Sequence, residues 1–200
     1  MFGRIVRWEA AAGAATTGTV EEGNVGAGTG ATVGKLFGMD RAMKGGIGTF
    51  TVRLEAGVLV SALVAVNALG DVRDAVGKII AGTRTARDSR EFVNTAQAMK
   101  QGAAGGFSRH NTTLAVVATN AALTKVGANR LAQSGSLGMA RAIDPVNTMS
   151  DGDITFALSI GDEKADLGAL GVAAAEAVAE AIVRAVRAAK TLGGVPGLGS

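Results

Sequence analysis

The sequence contains no cysteine and no tyrosine among its 200 residues, and only one tryptophan and two prolines. The absence of cysteine excludes disulfides, thiolate metal sites and a cysteine nucleophile. Aromatic residues make up 4% of the chain and apolar residues 48%, so we expect a core of alanine, valine, leucine and isoleucine. A chain of this length can bury such a core, and we predict a single domain over residues 1–200.

The chain also lacks long hydrophobic runs and blocks of charge. Its 20 Lys and Arg and 17 Asp and Glu give a net charge of +3, and no basic block is interleaved with aromatics, which disfavours a nucleic-acid role. The first residues lack a signal-peptide pattern, and the longest strongly apolar run, residues 58–66, is too short to span a bilayer. We expect a cytoplasmic protein without membrane contact, and the residue spacings predict neither a metal site nor a cofactor.

Glycine is abundant: 30 of 200 residues, about twice the usual share of ~7%. The glycine-dense stretch 23–35 suggests a phosphate-binding loop, but Thr29 stands where a Walker motif needs glycine and Leu36 where it needs Ser or Thr. Gly26, Gly28 and Ala31 match a dinucleotide fingerprint only loosely, because no convincing strand precedes them. A simpler interpretation is that the glycines let the backbone pack closely and bring Lys35 to a site.

Hydrophobic periodicity predicts four strands and several helices. Residues 58–67 are continuously apolar, as expected of a strand buried on both faces. In the helix predicted after the third strand, we expect Leu131, Leu137 and Ala140 to point inward, and residues 68–90 should be loop-rich. The predicted strands are 48–54, 58–67, 112–120 and 153–160, and the predicted helices are 3–15, 91–100, 124–141 and 167–190. Strands in the middle and helices outside indicate an α+β layered sandwich.

The pair Asn111-Thr112 is the most informative chemical feature. It follows a pliable stretch with glycines at 102, 105 and 106 and opens a β-branched apolar run. A threonine released there as a new N-terminus would carry its own base beside its own nucleophile, because an α-amine with a pKa of about 7.7–8.0 is partly neutral near pH 7. The pair therefore suggests a self-processing hydrolase.

Other polar residues leave alternatives open on the sequence alone. Asn67 ends an apolar run and is either a turn cap or a site amide, and Lys35 is either a surface lysine or a site cation. The turn around Asp151 and Asp153 offers a strand cap, a loose cation site or a pair of site carboxylates. His110 is the single histidine, and we assign it no role.

Five segments taken together resemble the DmpA-like aminopeptidase family, which comprises L-aminopeptidase/D-esterase-amidases, β-peptidyl aminopeptidases and the nylon-oligomer hydrolase. The motifs occur in order and span nearly the whole chain. They are GNVGAGTGATVGK at 23–35, KGGIGT at 44–49, VNALGDV at 66–72, NTTLAVVATN at 111–120 and DGDITFA at 151–157.

The resemblance implies an αββα layered sandwich of the N-terminal-nucleophile type. It implies a precursor that cuts itself between Asn111 and Thr112 into an α-subunit-like part, 1–111, and a β-subunit-like part, 112–200. Thr112 would be the catalytic nucleophile. The expected partners are a small peptide or amide substrate and further copies of the processed chain in a homo-oligomer.

The same likeness gives roles to four more residues. Lys35 and Asn67 are similar to the site lysine and the oxyanion-contacting amide, and Asp151 and Asp153 are expected to hold the Thr112 amine and hydroxyl. Thr at position 112, with aspartates at 151 and 153 in place of a Ser and a Glu, is most similar to the nylon-oligomer hydrolase branch.

One departure affects the functional interpretation. Family members are usually longer, and the segment that normally precedes Phe2-Gly3-Arg4, with its strands and in some members a tyrosine, is missing here. We expect an amidohydrolase that releases N-terminal residues from short peptides, amides or oligoamides through an acyl-enzyme. The alternatives are a non-catalytic truncated or split domain that needs a partner chain, and an acyltransferase of the ornithine acetyltransferase type. The Asp151-Gly152-Asp153 turn argues against the acyltransferase.

Overall fold

The computed structural model describes residues 13, 15–103 and 111–200. Its main sheet has four strands in the order β3 (Gly46–Arg53), β4 (Leu59–Val66), β7 (Leu114–Ala121) and β9 (Ile154–Glu163). Strand β4 pairs antiparallel with β3 and β7, and β9 runs parallel to β7. The elements are β1 (Thr32–Val33), β2 (Met43–Lys44), β3 (Gly46–Arg53), β4 (Leu59–Val66), β5 (Asp71–Arg73), β6 (Ile79–Ala81), α1 (Thr95–Lys100), β7 (Leu114–Ala121), α2 (Lys125–Ala142), β8 (Ile143–Asp144), β9 (Ile154–Glu163) and α3 (Leu167–Ala188).

The four long predicted strands are present, within a few residues of the predicted bounds. Strand β4 buries every second side chain, including Val60, Val64 and Val66 at 0% exposure, while Leu63 on its other face is 41% exposed. The prediction that residues 58–67 are buried on both faces is therefore wrong, because one face of β4 is partly exposed. Alternation with period two is what a sheet covered on one face produces.

Helices α2 and α3 cover the inner face of the main sheet, and both begin at a capping side chain. The Thr124 hydroxyl accepts from the amide of Gly127 at 3.2 Å, and the Asp166 carboxylate accepts from the amide of Ala169 at 2.8 Å. Such caps satisfy amides that have no partner inside the helix. The core between helices and sheet is aliphatic, as the composition predicts.

Glycines share the buried face of α2 with the large side chains of Leu131 and Met139. Leu131 is fully buried as predicted, but Leu137 is 62% exposed and Ala140 is also exposed, so those two inward assignments are wrong. The buried face of α2 includes Gly135 and Gly138, and a Cβ at Gly138 would collide with the backbone of Ala175 in α3. The absent side chains let the two helix backbones approach closely.

Residues 68–90 contain more regular structure than predicted. Strands β5 and β6 form a small antiparallel sheet with β8. The fully buried Asp71 carboxylate accepts from the amides of Thr83 at 2.8 Å and Thr95 at 2.6 Å, which ties this sheet to the start of α1. Helix α1 begins at Thr95, four residues after the predicted start. The predicted helix 3–15 falls almost entirely outside the described residues.

The outer face of the main sheet is apolar and partly open to solvent. The exposed fractions there are 41% for Leu63, 43% for Leu114, 51% for Phe156 and 72% for Ile160. The described residues thus form a helix layer and a sheet layer of mixed α+β architecture. The predicted αββα sandwich contains a further sheet layer, which would cover this outer face.

Candidate functional site

The glycine-dense loop places Lys35 inside the protein. Gly34 has a φ of +69°, which favours glycine, and a Cβ there would collide with the backbone of Gly82 and Thr83. The amide of Gly34 donates to the carbonyl of Gly70 at 3.0 Å, and the amide of Lys35 donates to that of Leu69 at 3.1 Å. As predicted, these glycines allow close backbone contact and carry a lysine inward, where it is 2% exposed.

Lys35 and Asn67 are in direct contact. The Lys35 Nζ donates to Asn67 Oδ1 at 2.8 Å and to the Asn67 carbonyl at 3.2 Å. The Thr32 amide also donates to Asn67 Oδ1, at 3.1 Å. Because Oδ1 accepts both bonds, the orientation of the amide is fixed, with Oδ1 toward Lys35 and Thr32.

Thr112 lies on the other side of the same carbonyl. Its backbone amide donates to the Asn67 carbonyl at 2.9 Å. Its Oγ1 donates to the carbonyl oxygen of Asn111 at 2.5 Å. The hydroxyl therefore rests against the carbonyl of the peptide bond that the sequence marks for cleavage, and the Asn67 carbonyl joins Lys35 to Thr112.

The turn with the two aspartates is bridged to the Asn111-Thr112 segment. Asn111 pairs in parallel with Asp151, and the amide of Gly152 donates to the Asn111 carbonyl at 2.9 Å. Asp153 accepts from the Thr113 amide at 2.6 Å, and Asp151 accepts from the Leu69 amide at 3.1 Å. These bonds orient the backbone around Thr112. That the aspartates hold the Thr112 amine itself concerns the cut chain and stays a prediction.

Burial and charge set the protonation of the site. Burial lowers the pKa of Lys35 from the ordinary 10.5 to about 8, although the nearby carboxylates of Asp151 and Asp153 act in the opposite direction. Burial also raises the pKa of Asp153, opposed by the amides of Asn147 and Thr113 that donate to it. A buried amine whose pKa lies near the working pH is typical of functional sites.

A cavity of about 460 Å³ opens in front of these groups. Lys35, Asn67 and Thr112 line it, and small or apolar residues form the remainder of its wall. That remainder consists of Ala27, Gly30, Ala31, Thr32, Met39, Ala65 and Leu114. The cavity is large enough for a small acyl group beside the threonine. The structure therefore brings all five predicted site residues together around the Asn111-Thr112 bond.

Some contacts of the site could not be found by scanning for reactive side chains. The Gly152 amide, the Asn67 main-chain carbonyl and the Leu69 amide are backbone groups, and the only signal for them was their position beside predicted site residues. The Thr148 hydroxyl, which donates to Asp151 at 2.5 Å, was also missed. The pliable stretch 102–106 lies mostly, and His110 entirely, outside the described residues.

We searched the described part of the chain for clusters of metal-binding side chains and for membrane-spanning helices. It contains no group of three or more His, Cys, Asp or Glu side chains arranged to hold a metal. None of the helices in residues 13, 15–103 and 111–200 is long and apolar enough to cross a bilayer.

Comparison with known sequences identifies relatives. The sequence model of peptidase family S58 matches residues 4–198 of this chain. An uncharacterized aminopeptidase of Mycobacterium leprae is 36% identical over 199 residues, covering 89% of this chain and 52% of that protein. A 6-aminohexanoate-oligomer endohydrolase of Kocuria sp. is 28% identical over 189 residues, covering 86% of this chain and 53% of that protein.

Solved structures agree with this assignment. A β-aminopeptidase of Burkholderia sp. is 32% identical with a TM-score of 0.63, over 96% of this chain and 54% of that one. The L-aminopeptidase D-Ala-esterase/amidase of Ochrobactrum anthropi, described as a variant of the Ntn hydrolase fold, is 28% identical with a TM-score of 0.60, over 90% of this chain and 48% of that one. The chain spans about half the length of these relatives. The resemblance to the DmpA-like family is confirmed, and the chain belongs to peptidase family S58.

Proposed function

We propose that this chain is part of a self-processing amidohydrolase that uses Thr112 as an N-terminal nucleophile and releases N-terminal residues from short peptides, amides or oligoamides. The observation that carries the proposal is the position of the Thr112 hydroxyl, 2.5 Å from the carbonyl oxygen of Asn111 and on the wall of the same cavity as Lys35 and Asn67.

The first reaction is an acyl shift within the chain. The Thr112 Oγ bonds to the carbonyl carbon of Asn111, and the bond from that carbon to the Thr112 nitrogen breaks. One proton moves, in net terms, from the oxygen to the nitrogen. Water then hydrolyses the resulting ester, which leaves a carboxylate on Asn111 and a free amine and hydroxyl on Thr112.

The second reaction acts on substrate. The freed amine of Thr112 accepts the hydroxyl proton while Oγ attacks the substrate carbonyl, and it passes this proton to the departing nitrogen as the amide C–N bond breaks. An acyl-enzyme forms, and water later hydrolyses its ester. Lys35 and Asn67 line the same cavity as Thr112, so the Lys35 ammonium and the Asn67 amide are the donors that we assign to the substrate's carbonyl oxygen. Preorganised donors of this kind are each worth about 10²–10³ in rate.

The names of the relatives suggest the substrate class. One is a β-aminopeptidase, one an L-aminopeptidase D-Ala-esterase/amidase and one a 6-aminohexanoate-oligomer endohydrolase. The first two names describe enzymes that act at a residue with a free amine, and the third describes an enzyme that cuts an oligomer of an amino acid. We therefore propose an amino-acyl amide as substrate, with several lengths of carbon chain between amine and carbonyl as candidates.

Intact-mass spectrometry tests the self-cleavage. Cutting before Thr112 gives pieces of 111 and 89 residues from the 200-residue chain. We expect the parent chain and Thr112→Ser to yield both pieces, and Thr112→Ala to remain whole with the same circular dichroism spectrum. Persistence of the full-length parent after long incubation, or cutting of Thr112→Ala at the same bond, would remove the proposal.

Hydrolysis is tested separately on the cut protein. α-Aminoacyl, β-aminoacyl and 6-aminohexanoyl p-nitroanilides are compared with the corresponding N-acetylated compounds. We expect the free-amine compounds to be hydrolysed and the acetylated ones to remain. Equal turnover of both sets would exclude an aminopeptidase, and transfer of the acyl group to added ornithine in preference to water would favour an acyltransferase.

One observation favours a second function, that of a domain completed by a partner chain. The outer face of the main sheet exposes Leu63, Leu114 and Phe156, which lie on the strands β4, β7 and β9 that adjoin the site. An exposed apolar face of this kind favours binding to another chain or aggregation. Light scattering distinguishes the cases, since a defined homo-oligomer that cuts itself supports the first proposal, whereas an aggregating, uncut chain supports the second.

A further inference from the structure

The carbonyl oxygen of Asn111 accepts two hydrogen bonds, one from the Thr112 hydroxyl at 2.5 Å and one from the Gly152 amide at 2.9 Å. We propose that the backbone N–H of Gly152 is the oxyanion donor of the self-cleavage step. This inference rests on the proposed function and adds a catalytic group that the side-chain pattern does not identify.

The position of the Gly152 amide follows from bonds on both sides of it. The Asp151 amide donates to the Thr148 carbonyl at 3.0 Å, which closes the turn. Beyond Gly152, the Asp153 carboxylate accepts from the Thr113 amide at 2.6 Å and the Ile154 amide donates to the Thr113 carbonyl at 3.1 Å. The donor is therefore fixed before the reaction begins, which is the condition for strong stabilisation of a developing charge.

The charge develops on the atom that Gly152 contacts. When the Thr112 Oγ attacks the Asn111 carbon, the carbonyl π electrons move to the oxygen and form an oxyanion. The Gly152 N–H donates to this oxygen at 2.9 Å in the uncut chain, within the range required of an oxyanion donor. As the bond to the Thr112 nitrogen breaks, the electrons return and the carbonyl of the ester forms.

The absence of a side chain at position 152 serves the same step. A Cβ on Gly152 would lie 3.0 Å from the Thr112 Oγ1 and 3.9 Å from the Asn111 carbonyl oxygen. The first distance is tighter than a relaxed contact, so a side chain would press on the nucleophile. Glycine at this position thus supplies the donor and leaves room for the attacking hydroxyl.

This role differs from the oxyanion contact expected of Asn67. The carbonyl held by Gly152 belongs to the protein's own Asn111, whereas Asn67 lines the cavity that receives the substrate. The chain thereby presents one donor to the bond that it cuts once and another set of donors to the bonds that it cuts repeatedly.

A single-atom change tests the donor. Cell-free translation with a tRNA that carries glycolic acid replaces the Gly152 N–H by an ester oxygen and leaves every side chain in place. The matched control is the α-hydroxy analogue of isoleucine at position 154, which removes the bond from Ile154 to Thr113 in the same pair of segments. Newly made chains are followed by intact mass over time, and their thermal unfolding is measured in a Thr112→Ala background.

We expect the ester at 152 to slow the appearance of the 111- and 89-residue pieces by about 10²–10³-fold, and the ester at 154 to slow it less than tenfold with similar loss of thermal stability. Equal rates for the two esters would overturn the inference and leave the proposed function standing. A parent chain that never cuts would overturn both.

Gly152→Ala tests whether the Thr112 hydroxyl needs the space left by the missing side chain at position 152. It keeps the N–H but adds the Cβ 3.0 Å from the nucleophile, so we expect cutting to slow at least tenfold. Gly18→Ala is the control, because its Cβ would meet nothing closer than 3.9 Å, and it should cut at the parent rate. Cutting of Gly152→Ala at the parent rate would overturn the steric part of the inference.

Discussion

Replacing Lys35 by methionine should make the protein more stable while removing the cation that we propose acts in catalysis. The side chain is 2% exposed, and burial lowers its pKa from the ordinary 10.5 to about 8. The folded chain therefore holds the Lys35 proton less tightly than the unfolded chain does. Between these two pKa values the unfolded state binds more protons, so the stability of the parent rises with pH across this window.

The magnitude follows from the pKa difference. Each pH unit between the folded and unfolded pKa values corresponds to about 1.36 kcal/mol, so the charged lysine costs about 3 kcal/mol at pH 7. Methionine removes that cost and also loses the two bonds to Asn67, each worth about 1 kcal/mol. At pH 7 we expect Lys35→Met to be more stable by about 1–2 kcal/mol.

The pH dependence separates the charge from the lost hydrogen bonds. Urea unfolding of Lys35→Met and its parent is compared at pH 7 and pH 10, both in a Thr112→Ala background so that neither chain is cut. We expect the parent to gain roughly 2–3 kcal/mol relative to Lys35→Met between pH 7 and pH 10, so that the order of stability reverses and the parent is more stable by about 1 kcal/mol at the higher pH. Lys164→Met, at an exposed position, should show no such change. A difference for Lys35→Met that stays constant with pH would refute the reasoning.

Three further outcomes follow from the structure. Lys35 has a pKa of about 8, so it loses its positive charge above that pH, and kcat/KM for amide hydrolysis should fall with it. The residual activity of Lys35→Arg should lack this fall, because arginine stays charged. Asp71→Asn, which disturbs a buried carboxylate with three donors, should lose about 2–4 kcal/mol in urea unfolding. Gly48→Ala, whose Cβ would collide with the backbone of Ala181, should lose about 1–3 kcal/mol by overpacking, whereas Gly18→Ala should lose under about 0.5 kcal/mol.

The sequence predicts the long strands and the last helix because they bury large apolar side chains with a clear period. Strand β4 and helix α3 carry Val60, Val64, Val178 and Ile182 at 0% exposure, and such burial supplies a strong signal. The inner face of helix α2 was predicted poorly, because Gly138 lies on it and can contact the backbone of α3 only since it has no side chain. A hydrophobic pattern detects large apolar side chains, so it does not detect a close backbone contact at a glycine.

The side chains of the candidate site could also be predicted, whereas its backbone groups could not. The residue types of Thr112, Lys35 and Asn67, in motifs that resemble a family, were enough to predict that they lie together, and the structure places them around one cavity. The Asn67 carbonyl and the Gly152 amide could not be predicted, because every residue but proline carries such groups and only the fold selects which of them face the reaction.

The shared Asn67 carbonyl also determines how the cut protein should titrate. In the uncut chain it accepts from the Lys35 Nζ at 3.2 Å and from the Thr112 amide at 2.9 Å. After the cut, that amide becomes an amine with an ordinary pKa of about 7.7–8.0, beside a lysine whose pKa is already about 8. Two ammonium groups this close repel each other, so their protons leave in two separate steps.

One amine of the cut protein should therefore titrate below pH 8 and the other at about pH 8, leaving one cation for the oxyanion and one neutral base for the threonine hydroxyl near neutral pH. NMR of ¹⁵N-lysine and ¹⁵N-threonine labelled protein, before and after cutting, measures both steps. Lys35→Met should return the Thr112 amine to a single step closer to its ordinary pKa. If the Lys35 signal titrates at the same pH in the cut and uncut chains, the two amines are not coupled, and the division of labour between them fails.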